Sequence, residues 1–177
     1  TQLSLPPTPT PVSLLTWNDP NGFSFQYPDG LTINKHDEDK ENYAHIELTH
    51  PNHPGKLIVW GKDVPANVAD AASWVKSDTR FLGASILDTE MGGQPAKKVM
   101  VAGNPQILVV GTVYDSIVWS VEATLEEPEY WTTMLTSITN SFTFATAKSD
   151  VTAAGSIPSD TAVSSEDAPV DEEEVVE

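Results

Sequence analysis

The histidines are the first residues whose type and spacing could support chemistry, because imidazole can bind a metal ion. His50 and His53 flank a short run of turn-forming residues, and His45 lies in the β-like segment before it. Neutral imidazole is a common ligand of zinc, copper and nickel. We therefore take His45, His50 and His53 as candidate ligands of a divalent metal. Their spacing matches no recognised metal motif, so solvated turn residues are the alternative.

A second group of candidate ligands lies in residues 36–42. Asp37, Asp39 and Glu41 alternate with other residues, as carboxylates do in some calcium-binding loops. An EF-hand loop also needs a glycine at its sixth position and a glutamate at its twelfth, and this segment has neither. Lys40 adds a positive charge among the carboxylates. We expect a solvated loop here.

The sequence has few of the residues that a catalytic site requires. No serine lies in a Gly-x-Ser-x-Gly turn, and no glycine-rich phosphate loop is present. The absence of cysteine excludes thiolate catalysis and cysteine-ligated zinc or iron–sulfur sites. Asp88 and Glu90 could act as an acid–base pair, but alternate strand positions near a turn usually form a solvated face. We expect a protein that is not an enzyme and binds no cofactor.

Tryptophan is frequent in this chain, with five residues among 177. Exposed aromatic rings can line a groove for a carbohydrate or a peptide. Most of these tryptophans lie in apolar segments, where burial in a core explains them. Trp74 follows Ala71 by three residues and lies at the edge of a helical stripe, so we expect Trp74 to be the partly exposed one.

The charge of the chain restricts its partners. It carries 26 Asp and Glu residues against 9 Lys and Arg, a formal net charge of −17, and its only arginine is Arg80. Nucleic acid binding needs clustered cations that displace counterions, and anionic lipid surfaces attract basic segments. We therefore expect no nucleic acid partner and no direct contact with a membrane surface.

Composition divides the chain into three parts. Residues 1–13 are rich in Pro and Thr, which favours an extended spacer. Residues 14–144 form the folding domain. Residues 145–177 hold nine acids and one base with few large apolar side chains, which favours a disordered acidic tail. Because the chain begins at Thr1 rather than Met, we expect a preceding piece that carries a membrane anchor.

Alternating apolar and polar residues predict two of the strands. In residues 23–27 the aromatic side chains of Phe23, Phe25 and Tyr27 all point to one face of a sheet. Residues 44–49 show the same alternation, and residues 50–55 form the turn that follows. Further β-like segments are 14–17, 57–60, 84–90, 96–101, 106–113 and 116–123.

Two segments have helical periodicity. In residues 67–77, Asn67 is the candidate N-cap, and the apolar stripe consists of Val68, Ala71, Ala72 and Val75. A second helix begins near Pro128, which suits a first helical turn. Its stripe consists of Tyr130 or Trp131, followed by Met134, Leu135 and Ile138. Hairpins interrupted by two helices indicate an α+β fold, an antiparallel β-sheet covered by helices in an α/β/α sandwich.

Four segments together resemble the PsbP-like superfamily: residues 22–30 (GFSFQYPDG), 93–96 (GQPA), 117–121 (IVWSV), and the Ser141-Phe142 pair after the late helix. The resemblance covers most of residues 17–144. It implies a central antiparallel sheet with helices on its faces and a non-enzymatic role in binding or assembly. Members include extrinsic photosystem II subunits and bacterial lipoproteins. Basic residues mediate docking in the photosynthetic members, and this chain has few.

These observations lead to one expected function and one alternative. We expect a monomeric, non-catalytic domain outside the cytoplasm, tethered to a membrane through its N-terminus. Its partner would be another protein in an envelope or surface assembly. The alternative is a carrier of a small molecule or a divalent metal, which would use the sheet face or the histidine-bearing hairpin.

Overall fold

The computed structural model describes residues 12–145. The chain divides into two units, Thr1–Thr146 and Ala147–Glu177, and every described residue belongs to the first. Of the predicted spacer, only residues 12 and 13 are described, and of the predicted tail only Ala145. The rest of both predictions lies outside the described residues.

Within residues 12–145 the chain forms ten strands, two helices and one 3-10 turn. The strands are β1 (Leu14–Asp19), β2 (Phe23–Pro28), β3 (Thr32–Lys35), β4 (Ala44–His50), β5 (His53–Asp63), β6 (Ser85–Met91), β7 (Gln94–Val101), β8 (Ile107–Tyr114), β9 (Ile117–Thr124) and β10 (Thr143–Phe144). The helices are α1 (Ala71–Ser77) and α2 (Pro128–Ser141), and the 3-10 turn is Thr79–Phe81.

Seven of these strands form one antiparallel sheet in the order β3-β4-β5-β9-β8-β7-β6. Strands β1, β2 and β10 form a second sheet. The predicted α+β fold with an antiparallel sheet is confirmed, but the second sheet was not predicted. Its β1–β2 hairpin is local in sequence, but its third strand depends on the pairing of Thr143 with Ser24, residues far apart in sequence, and such a pairing leaves no local pattern.

One face of the seven-stranded sheet forms the larger core. Ile46 and Leu48 of β4 and Leu57 and Val59 of β5 point to this face and are fully buried. They pack with the aromatic rings of β2 and with α2. On α2 the buried side chains are Trp131, Leu135, Ile138 and Thr139. The sequence left open whether Tyr130 or Trp131 belongs to the buried stripe of α2, and the buried residue is Trp131.

The opposite face forms a smaller core under α1. Val99 of β7, Val109 of β8 and Val118 of β9 pack there against Trp74 and Phe81. Helix α1 contacts β7 and β8. The layers are therefore α2 with the small sheet, the seven-stranded sheet, and α1, as an α/β/α arrangement requires.

The start of α1 differs from its prediction. The N-cap is Asp70, whose carboxylate accepts a 2.7 Å hydrogen bond from the Ser73 amide, while the Ser73 hydroxyl accepts one from the Asp70 amide. This reciprocal capping box fixes where the helix begins. Asn67 lies in the preceding loop with φ of +66°, so the prediction that it caps the helix was wrong.

Two further boundaries differ near the histidines. Strand β3 was not predicted, since its four residues lack a clear alternation. The turn predicted over residues 50–55 is shorter, because His53 already pairs with His50 at the start of β5. The β4–β5 hairpin itself is confirmed.

Candidate functional site

The structure places the candidate histidines in two different surroundings. His45 stacks on Trp60 with 4.0 Å between ring centroids, and on His36 with 4.1 Å. His50 and His53 lie together at the β4–β5 turn, with centroids 4.7 Å apart. Because His45 and His50 are five positions apart on one strand, their backbones are roughly 16 Å apart.

The three imidazoles are therefore not brought to one point. Within residues 12–145 no group of three or more His, Asp or Glu side chains is arranged to hold a metal ion. Of the three predicted ligands, His50 and His53 lie close together at the hairpin turn, and His45 lies apart from them.

The two histidines of this pair differ in the lone pairs that they present. His53 Nδ1 lies 2.6 Å from Glu127 Oε2, so Nδ1 carries a proton and Nε2 of the neutral ring has a free lone pair. A carboxylate behind a histidine in this way is common in metal sites. His50 Nδ1 accepts a 3.1 Å hydrogen bond from the Asn52 amide, so its neutral ring is protonated at Nε2. His50 must lose that bond to bind a metal through Nδ1.

The first turn of α2 holds His53 in place. The His53 ring stacks on Tyr130 with centroids 3.7 Å apart, at an angle of 12°. Burial, and to a smaller extent the charge of Glu127, raise the pKa of Tyr130. The hairpin end thus presents stacked aromatic rings beside the Glu127 carboxylate.

Asp39, in the predicted solvated loop, binds neighbouring groups of the chain. It accepts hydrogen bonds from the Asn42 side chain at 2.8 Å and from the Glu41 amide at 3.0 Å, and lies 2.9 Å from His45 Nδ1. The Asn42 hydrogen bond is the largest cause that lowers the pKa of Asp39 to about 2. Asp39 therefore fixes the loop against His45.

A cavity of about 440 Å³ opens where α1 and the 3-10 turn lie beside β5 and β9. Its charged and polar lining includes Lys62, Asp63, Arg80, Ser120 and Glu122. The ring of Trp74 and the side chain of Val118 form an apolar part of the cavity wall. Its size and mixed lining suit a small polar molecule.

The guanidinium of Arg80 forms ion pairs with two carboxylates at this cavity. Its Nη2 lies 2.8 Å from Asp78 Oδ2 and 3.2 Å from Glu122 Oε1, and its Nη1 lies 3.2 Å from Glu122 Oε2. The Asp78 hydrogen bond is the main cause that raises the pKa of Arg80. Burial raises the pKa of Asp78, but the hydrogen bonds and charge of Arg80 outweigh it, and the net shift is downward. The only arginine of the chain is thus already neutralised.

The prediction that Trp74 is partly exposed was wrong. Its side chain is 4% exposed and lies over Gly111 of β8, where the absence of a side chain leaves room for the indole. Trp17 and Trp60 are the half-buried tryptophans. The burial of Trp74 could not be predicted from the residues next to it in sequence, because Gly111, which makes room for the indole, lies on a different element, β8.

The sequence analysis missed an exposed aliphatic surface at strand β6. Leu87 is 61% exposed, Ile86 is 39% exposed, and Leu82 just before the strand is 79% exposed. Asp88 and Glu90 on the same strand are also exposed. We call these five residues the β6 edge. The available signal was the Ile86-Leu87 pair, since neighbouring residues of a strand point to opposite faces and only an uncovered edge exposes both.

The other edge of the large sheet is built differently. Strand β3 has four residues, and its Lys35 lies 3.3 Å from Asp37 and 4.0 Å from Asp19. Short, charged edge strands resist pairing with other chains. Strand β6 also carries two charged residues, Asp88 and Glu90, but it is longer, with seven residues, and three aliphatic side chains are exposed on it or just before it.

Comparison with known proteins identifies the fold. No protein-family model matches the sequence, and no curated protein matches it significantly. The structure is similar to the solution structure of cyanobacterial PsbP (CyanoP) from Synechocystis sp. PCC 6803, with a TM-score of 0.55 and 13% sequence identity. The match covers 80% of this chain and 98% of that chain. The PsbP-like fold implied by the sequence resemblance is thus confirmed, and at this identity the likeness concerns the fold alone.

Proposed function

We propose that this chain is a non-catalytic domain that binds another protein in an envelope or surface assembly, through the β6 edge. The observation that carries the proposal is the exposure of Ile86 and Leu87 on opposite faces of an edge strand, with Leu82 also exposed three residues before that strand. Edge strands of monomeric proteins are usually charged, shortened or covered, and an uncovered aliphatic edge is typical of an interaction surface.

The proposal includes a location outside the cytoplasm and an N-terminal membrane tether. It is supported by the PsbP-like fold and by the Pro/Thr-rich composition of residues 1–13. Neither helix in residues 12–145 is long and apolar enough to cross a bilayer. Fractionation of the native organism, with mass spectrometry of the mature N-terminus, tests this part. A lipid-modified N-terminus in the envelope fraction supports it, and an unmodified cytosolic protein contradicts it.

Affinity capture with matched variants tests the binding surface. The test variant replaces three aliphatic residues by polar ones, Leu82→Ser, Ile86→Thr and Leu87→Thr. The control variant makes the same kind of change at exposed residues of the small sheet and its lead-in, Val12→Thr, Leu14→Ser and Leu15→Ser. We expect the full chain and the control to recover the same protein and the test variant to lose it. Equal recovery by all three would show that the β6 edge is not the binding surface.

The cavity beside Arg80 and the His53–Glu127 pair favour a second candidate, a carrier of a small molecule or divalent metal. Calorimetric titration with zinc, copper and calcium separates the two functions. A metal carrier should give stoichiometric heat that disappears in the double variant His50→Ala/His53→Ala. No heat with any of the three ions removes the metal form of this alternative.

A further inference from the structure

We infer that the β6 edge accepts an extended, basic segment of the partner protein, which adds to the seven-stranded sheet as an antiparallel eighth strand. This inference rests on the proposed function and specifies its partner. The segment would place apolar side chains against Ile86 and Leu87 and basic side chains against Asp88 and Glu90.

The backbone of β6 is available for such a pairing. Within the described residues β6 pairs with β7 alone, in an unbroken register from Ser85 opposite Met100 to Met91 opposite Gln94. The strand contains no proline and no bulge that would block its free side. Its outward N–H and C=O groups can therefore bond to an added strand, the usual source of affinity when a peptide extends a sheet.

The register with β7 shows which side chains share a face. Ile86 lies opposite Val99 and Asp88 opposite Lys97, so both point to the α1 side, as does Glu90. Leu87 lies opposite Lys98 and points to the other side. Read from N- to C-terminus, an antiparallel partner strand needs a basic residue, any residue, a second basic residue and then two apolar residues.

The charge of the α1 side favours a basic partner. Asp88 and Glu90 share this side with Asp70 at the N-cap of α1, and Lys97 pairs with Asp88 there. A cavity of about 200 Å³ lined by Asp70, Asp88 and Lys97 lies next to the strand and can admit the end of a lysine or arginine. The charge of Lys76 also acts on Asp70, so three carboxylates face two ammonium groups, and a local excess of negative charge remains.

The charge of the whole domain points the same way. Residues 12–145 hold 17 Asp and Glu against 8 Lys and Arg. The same residues of a second copy would bring another net charge of −9, which opposes self-pairing. A basic segment is instead attracted at long range, and its binding should weaken as salt screens the field.

A synthetic peptide tests the inference directly on the full chain. The probe is acetyl-Gly-Lys-Thr-Lys-Val-Leu-Thr-amide, and its control has glutamate in place of both lysines. Binding is followed by two-dimensional NMR, with hydrogen exchange of the backbone amides. We expect the lysine peptide to shift and protect amides of β6 and to bind at least tenfold more tightly than the glutamate peptide. Raising the salt concentration should weaken the binding of the lysine peptide.

Two variants assign the binding to the charges of the edge. The double variant Asp88→Asn/Glu90→Gln keeps the strand and removes both charges. It should weaken the binding of the lysine peptide about fivefold, which is the effect expected from the loss of two exposed ion pairs. Thr32→Lys, on exposed β3, changes the charge of the opposite edge and should leave peptide contacts with β6 in place. Circular dichroism checks that both variants fold.

The outcomes separate this inference from the proposed function. Equal binding of the two peptides, or shifts centred on the Arg80 cavity, would overturn the inference. So would self-association of the full chain that Leu87→Lys abolishes, since a second copy would then occupy the edge. In each of these cases, the affinity capture decides whether the proposed function stands. If recovery of the partner protein still requires Leu82, Ile86 and Leu87, the proposed function stands, and only the inference of a basic partner segment is wrong.

Discussion

The indole Nε1 of Trp131 donates a 2.6 Å hydrogen bond to the carbonyl of Pro54. Gly55 lies directly beside this bond, with φ of +109°. A Cβ atom at Gly55 would come within 2.4 Å of Trp131 Nε1 and 2.8 Å of the Thr124 carbonyl oxygen. The start of β5, the end of β9 and the first turn of α2 therefore meet at a position that only glycine fits.

Gly55→Ala should lower the free energy of unfolding by about 2–4 kcal/mol, from overpacking and an unfavourable φ together. Urea denaturation measures the loss. Gly93→Ala is the matched control, because Gly93 has φ of +72° but a Cβ atom added there would have no neighbour within 4 Å. The control should cost about 1 kcal/mol. Equal losses in the two variants would mean that Trp131 does not fill the space above Gly55.

Gly111→Ala should destabilise the smaller core by about 1–3 kcal/mol. A Cβ at Gly111 would lie 2.4 Å from the Trp74 ring and 3.0 Å from the Trp119 carbonyl oxygen. In a double-mutant cycle with Trp74→Leu, the two losses should sum to more than the loss of the double variant, because removal of the indole makes room for the methyl group. Strict additivity would argue against the contact.

Trp74 also shows where prediction from the sequence ends. Its helix was predicted from the spacing of Ala71, Ala72 and Val75, which is a local pattern. Its burial depends on Gly111, a residue of another strand, and on the sheet that places the two together. Alternation likewise predicted β2 and β4, and the apolar run of residues 57–60 predicted β5, whereas the pairing of β10 with β2 depends on the whole fold.

Removal of the Arg80–Glu122 ion pair should destabilise the protein modestly. The side chain of Arg80 is 49% exposed and that of Glu122 is 13% exposed, so solvent weakens the pair despite its two-pronged geometry. We expect a coupling energy of about 0.5–1 kcal/mol from a double-mutant cycle of Arg80→Ala and Glu122→Gln at low salt. Lys76→Ala, which removes an exposed cation of α1, is the control for the loss of charge. A coupling near zero would leave Arg80 as a lining residue of the cavity alone.

The candidate site was less predictable than the fold. The histidines were chosen because their chemistry is visible in the sequence, yet His45 and His50 lie on different parts of β4 and contact different neighbours. The β6 edge has no distinctive residue type. Its one sequence signal, the Ile86-Leu87 pair, indicates an exposed edge only once the strand order shows that nothing pairs beyond β6 in the described part of the chain.

Acid should remove the contribution of Asp39 to stability. Its pKa is lowered from 3.8 to about 2, chiefly by the hydrogen bond from Asn42, so the folded state binds this proton less readily than the unfolded state. The contribution is therefore complete above the unfolded value near 3.8 and is lost as the pH falls through about 2. In urea denaturation, Asp39→Asn should be less stable than the original chain at pH 6, and the difference should shrink from about pH 4 downward. Asn42→Ala should raise the pKa of Asp39 toward its ordinary value, which carboxyl ¹³C NMR titration measures. A midpoint for Asp39 near 3.8 in the original chain would show that the loop does not hold the carboxylate as described.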